Sequence, residues 1–346
     1  MTPDVQGFRM PAEWEHHEAT WLTWPHDGRH WPGHFEHIPA VWARMVKEFE
    51  DGEDVHIFIH DNATKRSAEE AMKSAGVKGE RVYLHHAPNN FSWARDHGPI
   101  FLKNGKGERM ITDWRYNAWG EQWEYDKDDV LPQEASRITG VPFVEIPMVL
   151  EGGSIDVNGK GTLLTTESCL LNPNRNPELS KEDIENNLKK YLGVSRILWL
   201  KEGIAGDDTA GHVDDLTRFV GPSTVVTVVS EDKNDIDYKP LKANLERLHK
   251  MEDQDGTPLT IITISQPAPV FVSDENGNPF RIPASYANFY IGNTVILLPV
   301  WNDPNDAQAI AVLEKYFPDR RVCPIDSRVL TWGLGSFHCV TQQMPS

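Results

Sequence analysis

The chain has 346 residues, 39% of them hydrophobic and 25% charged, an ordinary globular composition with length enough for a large core. Its 34 basic against 52 acidic residues give a formal charge of −18, which disfavours nucleic acid and anionic membranes and favours cationic ligands. Three cysteines imply no disulfide framework and fit a reducing, cytoplasmic setting; no apolar run approaches the ~20 residues of a membrane span, and Met1-Thr-Pro-Asp-Val-Gln-Gly is no secretory signal.

In chain order, alternation and turn residues predict a strand over Thr20–Trp24, a helix near Ile38–Glu50 and a strand over Val55–His60. An extra helix and strand follow, to His86. Ile100-Phe-Leu and Arg109-Met-Ile-Thr-Asp-Trp read as strands around the turn Asn104-Gly105-Lys106-Gly107, before a helix near Asp129–Thr139 and a strand over Phe143–Ile146. The same order returns with Ser154–Val157, the turn Asn158–Gly161, Thr162–Thr165, a helix opened by Ser180 with Asp183 in a near capping box and stopped by Gly193, and Ile197–Leu200. A third pass has Leu216–Val220, Thr224–Val229, a helix near Tyr238–Met251 and Leu259–Ile264. A fourth has Asn288–Ile291, Thr294–Val300, a helix near Asn305–Phe317 and Arg321–Ile325.

Five strand–strand–helix–strand units of roughly 50 residues predict an α/β cyclic repeat rather than two independent domains, so residues 1–346 are expected to form one domain. The N-terminal unit lacks a strand. The C-terminal Val340-Thr-Gln is expected to supply it and close the ring.

Functional residue types recur at one point of this repeat. Asp96, in Trp93-Ala-Arg-Asp-His-Gly-Pro99, precedes the first strand of one unit, and Glu151, in Leu150-Glu-Gly-Gly-Ser154, precedes that of the next. His212 and Asp214 hold the same place in the third, and Cys339 precedes the closing strand. Singly each is ordinary: an Asp before Gly-Pro is usually a turn former and a buried cysteine is usually inert. Equivalent positions of a cyclic repeat face its axis, so together they are expected to share one pocket.

Other patterns carry less. His26, His30, His34 and His37 cluster in a loop-like stretch, but no carboxylate or thiol pattern completes a metal site, and surface histidines are the plainer reading. Asp274-Glu-Asn-Gly-Asn278 has its glycine in the wrong place for a calcium loop and reads as a hairpin turn. No phosphate loop or complete dinucleotide fingerprint is present, and no cofactor or metal is implied.

Two carboxylates beside a thiol suit peptide hydrolysis poorly, because negative charge opposes both the thiolate and a developing oxyanion. They suit a planar cation. Carboxylates grip a guanidinium bidentately and hold its carbon against the sulfur.

At these residues the chain resembles the agmatine deiminase family, which includes bacterial, Porphyromonas-type peptidylarginine deiminase-like proteins. The resemblance runs through Met10-Pro-Ala-Glu-Trp-Glu, Trp93-Ala-Arg-Asp-His-Gly-Pro, Trp114-Arg-Tyr-Asn-Ala-Trp-Gly, Glu151-Gly-Gly-Ser, Gly206-Asp-Asp-Thr-Ala-Gly-His-Val-Asp-Asp, Pro283-Ala-Ser-Tyr-Ala-Asn-Phe-Tyr and Phe337-His-Cys-Val-Thr-Gln-Gln. It implies the pentein fold of guanidine-modifying enzymes, a five-bladed α/β propeller with pseudo-fivefold ββαβ repeats. It also implies roles: Cys339 as nucleophile, Asp96 and Asp214 as guanidinium clamps, His212 as acid and then base, Glu151 as the group orienting His212. The implied reaction converts agmatine and water to N-carbamoylputrescine and ammonia, in polyamine (putrescine) biosynthesis. Partners are then a small cationic guanidine, with no nucleic acid and no membrane; a homo-oligomer is compatible.

The turn before the cysteine reads Gly-Leu-Gly-Ser-Phe-His where many relatives have Gly-Gly-Gly-Asn-Ile-His, which leaves the tail of the substrate open. Trp93 and Trp119 are candidate walls for an aliphatic stem, or simply core. Arg95, Arg115 and Arg218 are candidates for an arginine α-carboxylate by residue type, or structural ion pairs. Rival readings are a deiminase of free or peptidyl arginine, an amidinotransferase, and a non-catalytic guanidine-binding propeller.

Overall fold

The computed structural model describes residues 5–273 and 277–346. Residues 1–4, in the segment read as no secretory signal, and residues 274–276, in the predicted Asp274–Asn278 turn, lie outside it.

Five sheets repeat one order: two antiparallel strands, a helix, then a strand parallel to the second. Ile100–Asn104 pairs antiparallel with Arg109–Arg115, which pairs parallel with Phe143–Val149 after the helix Leu131–Thr139. Asp156–Val157, Thr162–Thr166 and Arg196–Leu200 repeat this around the helix Lys181–Leu192. Thr217–Gly221, Thr224–Val229 and Thr260–Ser265 follow with the helix Tyr238–Leu248, and Tyr290–Ile291, Val295–Val300 and Arg321–Asp326 with the helix Asp306–Tyr316.

The fifth sheet joins the two ends of the chain. His17–Thr23 pairs parallel with Asp54–Ile59 across the helix Ile38–Phe49, and Val82–His86 adds to it after the helix Asn62–Ala75. Its missing strand comes from the C-terminus, two residues later than predicted. Gln342–Pro345 pairs antiparallel with His17–Thr23, Gln342 opposite Trp21 and Met344 opposite Ala19. Val340 and Thr341 stay out of the strand because Thr341 turns back, its hydroxyl donating to the Phe337 carbonyl at 2.8 Å.

Local chemistry explains these elements. The helix Ile38–Phe49 buries Ile38, Trp42, Ala43, Met45, Val46 and Phe49, the spacing of a single apolar stripe. Ser180 and Asp183 form a full capping box, each side chain accepting from the other's backbone N–H, and the helix ends at Gly193 as predicted. Phe271–Ser273 and Pro279–Arg281 pair antiparallel, Phe271 opposite Arg281.

The first strand of three units starts later than alternation suggested. Ser154, Leu216 and Asn288 lie outside the strands because one-turn segments, Gly152–Ser154 and Val213–Asp215 among them, curl the chain just before each strand. Those curls carry the candidate residues.

Candidate active site

Five pre-strand segments, one from each unit, supply the site. Ala94–His97 forms a single helical turn that packs on Gly152–Ser154, which packs in turn on Val213–Asp215. The turn 337–340 is tied to the first of these by the Arg95 N–H, which donates to the Cys339 carbonyl at 3.1 Å. The fifth segment brings Asn288, whose amide donates to the Cys339 sulfur at 3.0 Å and whose Oδ1 accepts from the His338 N–H at 3.1 Å.

Asp96, His212, Asp214 and Cys339 converge as the repeat predicted. Asp214 Oδ2 lies 3.7 Å from the Cys339 sulfur, and Asp96 Oδ1 lies 3.7 Å from His212 Nδ1. Gly153 is where they meet. A Cβ there would stand 2.5 Å from His212 Nδ1, 2.9 Å from Asp96 Oδ1 and 3.1 Å from Asp214 Oδ2, so only glycine fits the approach. Its N–H donates to Asp96 Oδ1 at 2.9 Å, while Trp119 Nε1 donates to Asp96 Oδ2 at 2.9 Å. Asp214 Oδ1 is buried with no hydrogen bond to another described residue. That acceptor is free for a donor brought by a ligand.

Burial dominates the electrostatics. Burial pushes Asp96 up to about 6, against the pull of His212. Burial also raises the Cys339 thiol well above the usual range, and Asp214, Asp215 and Asp96 add to the effect. The thiol is therefore neutral at rest. For His212 burial opposes charge, but Asp96 and other acidic neighbours outweigh it and raise its pKa well above normal. Asp214 goes the other way. Burial raises it, but the hydrogen bond and electrostatic attraction of His338 bring it below the ordinary carboxylate value.

Glu151 is completely buried and paired with Arg175, Nε to Oε1 at 2.5 Å, while Arg175 also donates to the Thr209 carbonyl at 2.9 Å. Glu151, Cys169 and His212 bring ligand-type atoms within 4.8 Å of one another, the one such trio among the described residues. The four loop histidines do not gather this way.

Cys339 opens onto a narrow inner cavity lined by Trp93, Asp96, Trp119, Asp208, Thr209 and the Gly333–Gly335 turn. Trp93 and Trp119 are both wall and core, each under 5% exposed. Trp119 sits in four consecutive left-handed residues, Ala118 to Glu121, with φ of 57° at the tryptophan itself. That strain aims its indole N–H at Asp96. His30 is no surface bystander: it lines this cavity and Nδ1 accepts from Trp93 Nε1 at 2.6 Å. His26 instead stacks on His60, ring centroids 4.1 Å apart, and His34 packs tilted against Trp332 at 4.2 Å.

No Lys or Arg is among the described residues lining the inner cavity. Arg95 and Arg218 are buried ion-pair partners of Glu13, at 3.3 and 2.9 Å, and Arg115 is exposed on a different pocket. The acidic group at the outer end of the cavity is Asp208, which burial and neighbouring Asp207 push up to about 7, so that a cation beside it would favour its ionised form.

Sequence reasoning assigned no role to Asn288, His338, Glu13, Arg175 or Asp208, although four of the five lie inside the motifs that carry the family resemblance. Asn288 had a findable signal, since it occupies in the fourth unit the place of Asp96, Glu151 and His212 in the others. Arg175 had none, because its loop precedes a helix.

A model of the Porphyromonas-type peptidyl-arginine deiminase family matches residues 9–345. The agmatine deiminase of Enterococcus faecalis is 33% identical, with a TM-score of 0.92 over 100% of this chain and 98% of its own. A cysteine-to-serine variant of C. jejuni agmatine deiminase with substrate bound is 29% identical, with a TM-score of 0.87 over 98% of this chain and 96% of its own. An amidinotransferase from Microseira wollei, 13% identical with a TM-score of 0.50 over 98% of this chain and 97% of its own, shares the fold alone.

Proposed function

Because the chain belongs to the Porphyromonas-type peptidyl-arginine deiminase family, we propose that the cavity at Cys339 hydrolyses the guanidine of agmatine, giving N-carbamoylputrescine and ammonia. One observation carries the choice of agmatine. The inner cavity runs from two carboxylates at the thiol to a third, Asp208, at its outer end, with no cation along the described wall. A guanidinium at one end and a primary ammonium at the other match that charge pattern, whereas an α-carboxylate would meet Asp208 unpaired.

The residues divide the chemistry as follows. Asp96 and Asp214 each take guanidinium N–H groups and hold the central carbon toward the sulfur. The arriving cation offsets the acidic field that keeps Cys339 protonated, so the thiol releases its proton to solvent as the substrate binds, while His212 keeps its own. Asn288, donating to the sulfur, stabilises the thiolate. Sulfur adds to the carbon, His212 protonates one nitrogen, and the C–N bond breaks to release ammonia and leave a thiouronium on Cys339. His212, now neutral, takes a proton from water; hydroxide adds to the same carbon, the C–S bond breaks, and the thiol is restored. Glu151, fixed by Arg175, supports the charged form of His212.

We read the five sheets as blades of a pentein propeller built as a single domain, with the five pre-strand segments at its centre. The product is one hydrolytic step from putrescine, which suits a polyamine route.

The test measures ammonia and ureido formation with agmatine, arginine and a peptide ending in arginine in parallel. Agmatine is expected to be the preferred substrate, and C339A to be inactive. Turnover of arginine without agmatine sinks the substrate assignment, and full activity in C339A sinks the mechanism.

A further inference from the structure

The inner cavity opens into an outer one, and the two share His30, Asp208, Gly333 and Leu334. Leu334 is the aliphatic residue of those four. Its backbone is left-handed, φ 68° and ψ 19°, where it closes the 3-10 turn Leu330–Gly333 with its N–H donating to the Thr331 carbonyl at 2.9 Å. Glycine or asparagine takes that conformation without strain, and leucine does not. Core packing gives no compensation. Leu330, Trp332 and Phe337 pack into the adjoining hydrophobic cluster, but Leu334 is not among its members and stays half-exposed. The turn cannot relax away from the site either. The next residue, Gly335, has space for no Cβ, which would stand 2.6 Å from the Trp93 ring and 3.1 Å from the Cys339 sulfur.

Strain held without a packing reason, at the boundary between two cavities, belongs to selectivity. We propose that Leu334 partitions the two cavities and sets the length of the substrate's tail. The proposal rests on the agmatine reading above. A guanidine ending in a primary ammonium at Asp208 is enclosed on the inner side. One whose tail nitrogen carries an apolar substituent has to pass Leu334 to reach the outer cavity, where Trp123, Trp332 and Phe280 form an aromatic wall. With the partition removed, N-substituted guanidinoalkylamines become substrates, their secondary ammonium still at Asp208 and their substituent against those rings.

The test compares agmatine with N-benzylagmatine as substrates of the wild type, L334G and L334A, and as calorimetric ligands of C339A with and without L334G. The wild type is expected to prefer agmatine by about a hundredfold or more in kcat/KM, and both variants to narrow that ratio by about tenfold or more, the scale on which a few misplaced apolar atoms act in a pocket. L334G is also expected to melt no lower than the wild type, because it relieves the left-handed leucine. An unchanged ratio in the variants, or equal use of both compounds by the wild type, overturns the proposal, as does a markedly lower melting point of L334G. If L334G does not fold, L334A decides. Absence of agmatine turnover in the wild type would sink the parent reading instead, and the binding ratio in C339A would then judge the partition by itself.

Discussion

His338 places Nδ1 2.7 Å from Asp214 Oδ2 and Nε2 2.8 Å from Glu13 Oε2, so the residue preceding the nucleophile bridges two buried carboxylates. Ionised carboxylates only accept, and the imidazolium is the form of the ring that donates to both. Glu13 is anchored in turn by Arg218 and Arg95, and by its acceptance of the Ile291 N–H at 2.8 Å. A charged string thus runs from the N-terminal segment to the guanidinium clamp and keeps Asp214 ionised against the pull of burial.

Replacing His338 by glutamine removes the double bridge and leaves burial of Asp214 unopposed. The clamp works only as a carboxylate, present above its pKa and lost as pH falls through it. In H338Q the acid limb of kcat/KM therefore moves to higher pH, and kcat/KM at neutral pH drops by about 10- to 100-fold, the size of one lost charged hydrogen bond. A pH profile superimposable on that of the wild type would count against the bridge.

Asp96 sets a second limb. Burial holds it at about 6, so in the free enzyme it is protonated below that pH and cannot clamp a guanidinium. Activity is expected to fall through pH 6 on the acid side. Trp119 Nε1 is one of the groups that favour the ionised form, and W119F removes that donor without emptying the wall. The limb of W119F should lie at higher pH than that of the wild type. A shift to lower pH contradicts the assignment.

Much of this architecture is legible in the chain, for reasons that also mark the limits. Alternation with Gly-rich turns locates nearly every strand, because four of the five sheets are built around a local ββαβ unit, and only the fifth depends on a strand from the far end of the chain. The closing strand was placed two residues early because its start is decided by the Thr341 hydroxyl, a contact that no periodicity encodes. Asp96, His212, Asp214 and Cys339 were findable through equivalent positions in the repeat. The same rule, carried to the fourth unit, reaches Asn288. What sequence cannot rank is identical residue types: His26, His30, His34 and His37 look alike until the fold turns only His30 toward Trp93 and the cavity.

Asn288 provides a test that separates the thiolate from the scaffold. Its amide meets the sulfur at 3.0 Å, and its carbonyl oxygen accepts from the backbone of His338 at 3.1 Å. N288A loses both contacts and N288D keeps only the acceptor, setting a carboxylate against the sulfur. The expected order of kcat is wild type, then N288A about 10- to 100-fold lower, then N288D lower still, since added negative charge raises the thiol further. KM for agmatine should move much less than kcat. If N288D matches or exceeds N288A, the amide is not acting on the sulfur.

Arg175 and Glu151 give the strongest stability prediction. Both side chains are fully buried and Arg175 Nε lies 2.5 Å from Glu151 Oε1. Removing one partner leaves an uncompensated buried charge, at a cost of about 3–5 kcal/mol, whereas removing both costs far less than the sum. R175M is expected to lower the melting midpoint by several degrees and to slow turnover, because Glu151 loses the anchor that holds it near His212. E151Q/R175M should recover much of the melting loss and none of the activity. The two readouts part because the pair stabilises the fold only as a pair, while His212 requires the Glu151 carboxylate itself. Parallel recovery of melting point and turnover in the double variant would remove Glu151 from the catalytic machinery.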